Sequence, residues 1–559
     1  MSSVAELVQR HSQTLSEAIE ANRSRTFYAH WPEPPSGKIY GENANTEGEA
    51  AFKASLNKPF AGLLQKGSAG VVGEEVSPWG FSLGITYPVA SSSALIEQAS
   101  NAQVVWQSLS VRERAAVLIE GLERAAKRFF EIGYATMHTT GQGFVMAFQS
   151  SGPHGFDRGL EAIALGVAAQ EMFVESVTWS KPMGKFSVDI NKTYHAIPKG
   201  INLVIGCSTF PVWNTTPGMF AGLVTGNSVI VKPHPGAVLP IAIVVAELQS
   251  AFADAGLDAH IVQLATDTVS QPITLELLQH PAVRIVDYTG GSQFGNVVES
   301  EAAKSGKVVF TEKAGVNCVI LESANDLDKA LDNLAFSLSL YSGQMCTAPQ
   351  NIFIPKQGMV VGGLPVPVNE VLEKLATKVT ALVENPKAGP STLGTIQNTA
   401  TLERVAEAQS LGLEVVLQTQ SVVQTGFEQA RTATPLILRA SSENVDVYEK
   451  EWFGPISFVI VTDTFDEAVQ IVSRSAHEHG ALSALVYTTD SAYMTLAEKA
   501  LVNAGVPVTF NLDSFVWVNQ SAAFSDFHGT GANPSGTASF ADMQFVAARY
   551  NVVGVRRQM

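Results

Sequence analysis

Apolar positions along this chain change period several times, and each change predicts a different element. Val4, Leu7, Val8, Leu15 and Ile19 share one stripe of a 3.6-residue repeat. Ser3 followed by Glu6 is the capping-box signature that opens a helix there. Trp31-Pro32-Glu33-Pro34-Pro35-Ser36-Gly37 then breaks the pattern and predicts an irregular surface crossing. Helical spacing returns between 93 and 175, around 111–130 and 160–173. Residues 185–190 alternate apolar and polar and read as a strand or hairpin.

From 200 to 311, short apolar runs at 203–205, 229–231, 260–264, 285–288 and 308–310 alternate with helical stretches such as 238–252. The alternation resumes after 315, with apolar runs at 319–321, 352–354, 458–461 and 485–487. Such alternation predicts parallel sheets covered by helices on both faces, with ligands bound outside the carboxyl ends of the strands. Two α/β units are expected, without internal repeats or low-complexity tracts.

Composition narrows the class. The 559 residues are 46% apolar and only 16% charged, which fits a globular protein with large cores. A formal charge of −16, from 36 basic and 52 acidic residues, argues against a nucleic-acid partner. The longest strongly apolar run, near 162–169, is too short to span a bilayer. The first residues lack the basic and apolar regions of a signal peptide. Three cysteines give neither a disulfide framework nor a paired metal spacing. The expectation is a soluble, cytoplasmic protein with no metal and no membrane or nucleic-acid partner.

Candidate chemistry centres on Cys346, in Tyr341-Ser342-Gly343-Gln344-Met345-Cys346-Thr347, 34 positions after Glu312. A thiol works as nucleophile only when ionised, so it needs an electropositive, partly exposed setting and a nearby base. Glu312 ends an apolar run beside Phe310, Ala314, Gly315 and Val316, so partial desolvation should raise its pKa. Tyr288-Thr289-Gly290-Gly291-Ser292-Gln293-Phe294-Gly295 follows a strand and opens a helix, where backbone N–H groups can face a phosphate. Singly, each feature has an ordinary reading. A lone cysteine packs as a small hydrophobe, Lys232 is a solvated lysine, and the glycines make a plain turn.

Together the motifs resemble the aldehyde dehydrogenase superfamily over roughly residues 80 to 550. The resemblance rests on Gly343-Gln344-Met345-Cys346 after Glu312-Lys313-Ala314-Gly315, on Glu451-Trp452-Phe453-Gly454-Pro455, on Val229-Ile230-Val231-Lys232-Pro233 and on the glycine turn. Gly291 stands where the family usually has serine, with Ser292 adjacent. The implied fold is α/β, with two parallel-sheet domains and a small β oligomerisation flap. Residues 1–80 would be an N-terminal helix and arm, 81–184 and 200–312 the dinucleotide-binding domain, 313–529 the catalytic domain, and 185–199 with 530–559 the oligomerisation strands. The flap is expected to pair with the C-terminal strand of a second subunit, giving a homodimer or dimer of dimers.

The resemblance also implies residue roles. Cys346 thiolate attacks an aldehyde, a hydride passes to the nicotinamide, and Glu312 activates the water that hydrolyses the remaining thioester to a free acid. Lys232 faces the adenosine ribose, Gly290, Gly291, Ser292 and Gly295 the pyrophosphate, and Glu451 and Phe453 the nicotinamide riboside. Pro235 replaces a glutamate of many NAD-preferring members, which favours NADP, with NAD also accepted. The family's oxyanion-hole asparagine lies nine residues after a strand-opening glycine and 23 before the ribose lysine. That places Thr209 there, with Asn214 as the fallback donor and otherwise a polar residue at a helix start. His528, near the substrate loop, reads as a satisfied loop histidine.

Phe27-Tyr28-Ala29-His30-Trp31-Pro32, Val76-Ser77-Pro78, Cys207-Ser208-Thr209-Phe210-Pro211-Val212-Trp213-Asn214 and Lys232-Pro233-His234-Pro235 resemble the aldehyde dehydrogenases of bacterial phenylacetate degradation. This implies a CoA-linked semialdehyde as substrate. The alternatives are a simple aliphatic or aromatic aldehyde, or a catalytically weakened member that serves as a binding or scaffold protein.

Overall fold

Ser3 accepts a hydrogen bond from the Glu6 N–H and Glu6 returns one from the Ser3 N–H, so the capping box forms and starts the helix Val4–Ser24. This computed structural model describes residues 3–559 apart from 66, 68, 314, 517–521 and 541, so Ala314 lies outside the described residues. The N-terminal stripe buries Leu7, His11 and Leu15. The short helix Gly37–Tyr40 and the longer Ala44–Ser55 follow the proline-rich crossing, so the first 80 residues hold more regular structure than a helix and arm. Gly48 allows that helix to lie against Phe130, where a Cβ would stand 2.3 Å from the Phe130 side chain.

Two antiparallel strands, β1 (Ser176–Pro182) and β2 (Ser187–Pro198), project ahead of the first parallel sheet. That sheet contains β3 (Ile201–Ile205), β4 (Val229–Lys232), β5 (Val262–Leu264), β6 (Val283–Gly290) and β7 (Val308–Lys313). Their order is β7-β6-β3-β4-β5, and every neighbouring pair is parallel. All five lie at the expected apolar runs. The chain starts in mid-sheet at β3, runs out to β5 and returns to β6. Loops leaving β3 and β6 therefore diverge and open a crevice at the carboxyl ends.

The second sheet contains β8 (Cys318–Leu321), β9 (Asn351–Pro355), β10 (Glu414–Leu417), β11 (Leu436–Ser441), β12 (Ile456–Thr462), β13 (Ala484–Tyr487) and β14 (Val508–Phe510). Their order is β10-β11-β12-β9-β8-β13-β14, with only the β10–β11 pair antiparallel. The sequence locates β8, β9, β12 and β13. It misses β10 and β14, which close the two edges, and β11, whose short apolar run suits either helix or strand.

The final strand, β15 (Tyr550–Gln558), pairs antiparallel with β2, placing Tyr550 opposite Pro198 and Gln558 opposite Ile190. Three expectations are corrected here. The flap begins at Ser176 rather than 185. Among the described residues, 530–549 carry no flap strand but include the helix Met543–Ala547, whose Phe545 and Val546 are buried in the first core. The pairing of β2 with β15 occurs within one chain, not between subunits. Its cause is Arg549, fully buried beneath the start of β15. Its guanidinium donates to both Asp287 oxygens, at 2.6 and 2.7 Å, and to Asn202 at 2.6 Å. Its carbonyl accepts the Lys199 N–H at 3.2 Å, so β15 must leave the domain beside the end of β2.

Among the described residues, no helix is long and apolar enough to cross a membrane. Arg549→Met should cost about 3–5 kcal/mol, because it leaves the buried Asp287 carboxylate unpaired. Chemical denaturation of both proteins measures this, and an unchanged midpoint would show the pair to be dispensable.

Candidate active site

The nucleophile loop is held in an unfavourable backbone conformation. Tyr341, Ser342 and Gly343 have φ values of 51°, 48° and 64°, and two of these residues carry side chains that disfavour positive φ. Side-chain hydrogen bonds hold the strain. Ser342 donates to the carbonyls of Leu393 (3.1 Å) and Ala433 (3.0 Å), and the Tyr341 hydroxyl to that of Thr140. Gln344 donates to the carbonyls of Tyr341 and Thr395 and accepts the Gln397 N–H. Gly343 is required by close approach, since a Cβ there would lie 2.4 Å from the Gly454 carbonyl oxygen. Asn317 donates to the carbonyls of Cys346 and Ala348, fixing the far side of the loop. Cys346 is thereby presented, half-buried, across the crevice from β7.

Glu312 meets it from the carboxyl end of β7. Its Oε2 accepts from Asn214 Nδ2 at 2.8 Å and its Oε1 from His528 Nε2 at 2.9 Å. His528 Nε2 also lies 4.0 Å from Cys346 Sγ. Glu312 and His528 are 4% and 3% exposed, so this is a dry cluster. Burial alone would raise the Glu312 carboxyl, but His528, Cys346 and Asn214 outweigh it and hold it below the usual range. The expected upward shift is therefore reversed. Burial, and then the facing Glu312 carboxylate, push the Cys346 thiol well above its usual range. The anticipated electropositive setting is thus replaced by one that disfavours the thiolate.

A cleft of ≈ 590 Å3 runs from this cluster along the strand ends of the first sheet. Gly290, Gly291 and Phe294 form part of its wall, whereas Ser292 and Gly295 do not. Gly295 instead lets its helix approach β7, since a Cβ there would stand 2.7 Å from the Lys313 side chain. Gly291 caps the helix Ser292–Lys304 without a side-chain hydrogen bond, and a Cβ on it would meet nothing within 4 Å. The glycine turn that opens this helix thus forms part of the cleft wall, the kind of place where a helix start can face a phosphate.

At the other end, buried Lys232 stands 2.7 Å from Asp267 Oδ1 and donates to the Pro233 carbonyl at 2.7 Å. Asp267 lies in the cleft wall with Lys232 as its ion-pair partner. Burial, then Lys232, push His234 down to about 4, so it is neutral at pH 7. Glu451 and Phe453 line the opposite wall, where the Phe453 carbonyl accepts from Arg404 Nε at 3.0 Å. The glycine turn, Lys232, Asp267, Glu451 and Phe453 thus line one continuous cleft.

Thr209 lines the same cleft, with its hydroxyl 3.9 Å from Cys207 Sγ and its carbonyl accepting from Gln142. Asn214 directs its side-chain amide at Glu312. His528 is a satisfied loop histidine as expected, and its partner is Glu312. The sequence carries no spacing signal for it, 182 residues from Cys346, because a tertiary crossing brings it in. Its loop runs back over β7, bridging Gly536 to Glu312 and Phe540 to His528. Asp267 is missed for the same reason, since it follows β5 whereas Lys232 ends β4.

Burial pushes the Glu451 carboxyl up to about 7, with Arg404 opposing. A carboxyl raised from 4.5 to about 7 on folding contributes stability that is fully present below the unfolded pKa and is lost as pH rises through the folded one. Glu451→Gln should therefore flatten the decline in Tm of the nucleotide-free protein between pH 4.5 and about 7. An unaltered decline in differential scanning calorimetry would refute this.

Comparison with known proteins matches this fold. The profile of the aldehyde dehydrogenase family matches residues 88–542. Vanillin dehydrogenase of Amycolatopsis sp. is 26% identical over 484 residues, covering 84% of this chain and 91% of that protein. The crystal structure of an NAD-dependent aldehyde dehydrogenase from Burkholderia multivorans is 43% identical, covers 99% of both chains and superposes with a TM-score of 0.96. A 1-pyrroline-5-carboxylate dehydrogenase from Thermus with bound NAD shares the fold at 18% identity and a TM-score of 0.76, over 96% of this chain and 99% of that one. The chain belongs to the aldehyde dehydrogenase family.

Proposed function

We propose that this dehydrogenase oxidises an aldehyde of aromatic catabolism to the free acid through a thioester on Cys346, with Glu312 as the base that activates water. The observation that carries this reading is the Cys346–Glu312 pair facing one another at the end of the nucleotide cleft. The bound nucleotide would supply the hydride acceptor. Cys346 sulfur attacks the carbonyl carbon as its thiol proton passes to water in the cleft, and a donor must then meet the oxyanion; Thr209 is proposed for this, beside the Cys346 backbone N–H. Loss of hydride leaves the acyl group on sulfur. Water attacks that carbon, its proton passes to Glu312, and the C–S bond breaks to release the acid.

The substrate reading draws on two supports. The relatives include vanillin and benzaldehyde dehydrogenases, and the sequence resembles the phenylacetate-degradation branch, whose substrate would be a CoA-linked semialdehyde. Phe210 in the cleft wall gives the cleft one aromatic side chain. A panel of free aromatic, free aliphatic and CoA-linked aldehydes separates these substrates by kcat/KM. Absence of turnover with every one of them would leave the scaffold alternative.

The acceptor is inferred from charge. Pro235 removes one carboxylate and favours NADP, but Asp267 supplies another from a different element and neutralises Lys232. With His234 neutral, a 2′-phosphate would meet no uncompensated cation at this end, and a ribose hydroxyl could donate to Asp267. We infer that NAD is used in preference, with NADP accepted more weakly, as in the NAD-dependent relative from Burkholderia multivorans. The flap exposes Trp179, Phe186, Val552 and Val553, which supports burial against a second copy and hence a homodimer or dimer of dimers in the cytoplasm.

Two predictions follow from these assignments. Glu312→Gln should preserve the first-turnover burst of reduced nucleotide while lowering steady-state turnover by about 100-fold or more, since only hydrolysis needs the base. Equal loss of both phases in stopped flow would move Glu312 to another role. Asp267→Asn should shift the NADP/NAD ratio of kcat/KM toward NADP by about tenfold, corresponding to about 1.4 kcal/mol of relieved repulsion. An unchanged ratio would remove Asp267 from acceptor choice.

A further inference from the structure

We propose that His528 is a positioning residue for the hydrolytic half of the reaction, holding Glu312 beside Cys346 as an ionised, aimed base. This rests on the function proposed above and assigns a residue to it that the motif pattern leaves out.

The contact itself defines the role. An imidazole nitrogen 2.9 Å from a carboxylate oxygen needs a proton between them, so His528 Nε2 is the donor and Glu312 Oε1 the acceptor. The same nitrogen cannot then accept the thiol proton across 4.0 Å, which excludes His528 as the base for Cys346. With Asn214 donating to Oε2, the carboxylate is gripped at both oxygens in a site almost closed to water. Removing the His528 donor would leave a buried carboxylate short of one charge-stabilising bond, and burial would then favour its neutral form, which cannot take a proton from water.

The histidine is built to stay in place. Trp213 meets its ring edge-on at 4.7 Å and Phe540 lies against it at 5.7 Å. Its carbonyl accepts the Phe540 N–H at 2.8 Å, and the returning loop is tied to β7 by Lys313 N–H to Ser535 O and Thr537 N–H to Thr311 O. On the outer side, Arg25 lies over the Phe527 ring at 4.1 Å, Tyr28 meets Phe524 edge-on at 4.9 Å, and Ser525 donates to the Thr26 carbonyl. Residues 25–28 precede the span matched by the family profile, so the N-terminal arm supports the loop that carries His528.

The test uses p-nitrophenyl acetate, which acylates a thiol without nucleotide or aldehyde. Acetylation of Cys346 releases nitrophenolate in a burst. Hydrolysis then consumes one water, returns its proton through Glu312 and frees acetate. His528→Leu should keep the burst amplitude but lower the steady-state rate by about 10- to 100-fold. His528→Gln, whose amide can still donate to Glu312, should recover most of that rate. A burst and steady state that fall together, an unaffected Leu variant, or equal loss in Leu and Gln variants would each overturn the proposal. So would a full-length protein with native His528 that acetylates but never turns over. Ester turnover without oxidation of any aldehyde would instead count against the proposed substrate chemistry while leaving the role of His528 intact.

Discussion

A carboxylate removed from water must find donors or lose its charge, and that constraint organises this molecule around Glu312. Its two oxygens are occupied by Asn214 from the segment after β3 and His528 from the C-terminal loop, while Cys346 faces it from the other sheet. Each partner arrives on a different part of the chain. The cluster therefore forms only when both α/β units and the returning loop are in place, so the reactive pair cannot assemble in a partly folded chain.

The charges of the site disfavour the Cys346 thiolate. Burial, and then the Glu312 carboxylate that faces it, raise the thiol. Strain is placed where it presents that sulfur. Two non-glycine residues at positive φ cost of order 1–3 kcal/mol each, and hydrogen bonds from Ser342, Tyr341 and Gln344 hold the loop against relaxation. The sheet ends on one side and this loop on the other leave the nucleotide cleft between them.

A second buried charge performs a mechanical task. Arg549, paired with Asp287 on β6 and Asn202 on β3, nails the last strand to the middle of the first sheet. From that anchor β15 can only run along β2, which completes the flap inside one chain and leaves its apolar face outward. The architecture of the nucleotide domain and the geometry of the flap thus share one ion pair.

The sequence by itself determined what depends on local pattern. Apolar runs spaced by amphipathic helices located all five strands of the first sheet and four of the second, because a buried parallel strand must be apolar wherever it lies. Cys346, Glu312, Lys232, Glu451 and the glycine turn were legible because the backbone requirements around them are short-range, as Gly343 shows. Tertiary structure alone decided the rest. His528 and Asp267 enter the site through loops whose paths no periodicity encodes, and Asn214 looks like any polar residue at a helix start. The sign of the Glu312 shift depended on donors 98 and 216 residues away in sequence. Burial could be guessed from neighbours, whereas the partners that reverse its effect exist only once the chain has folded.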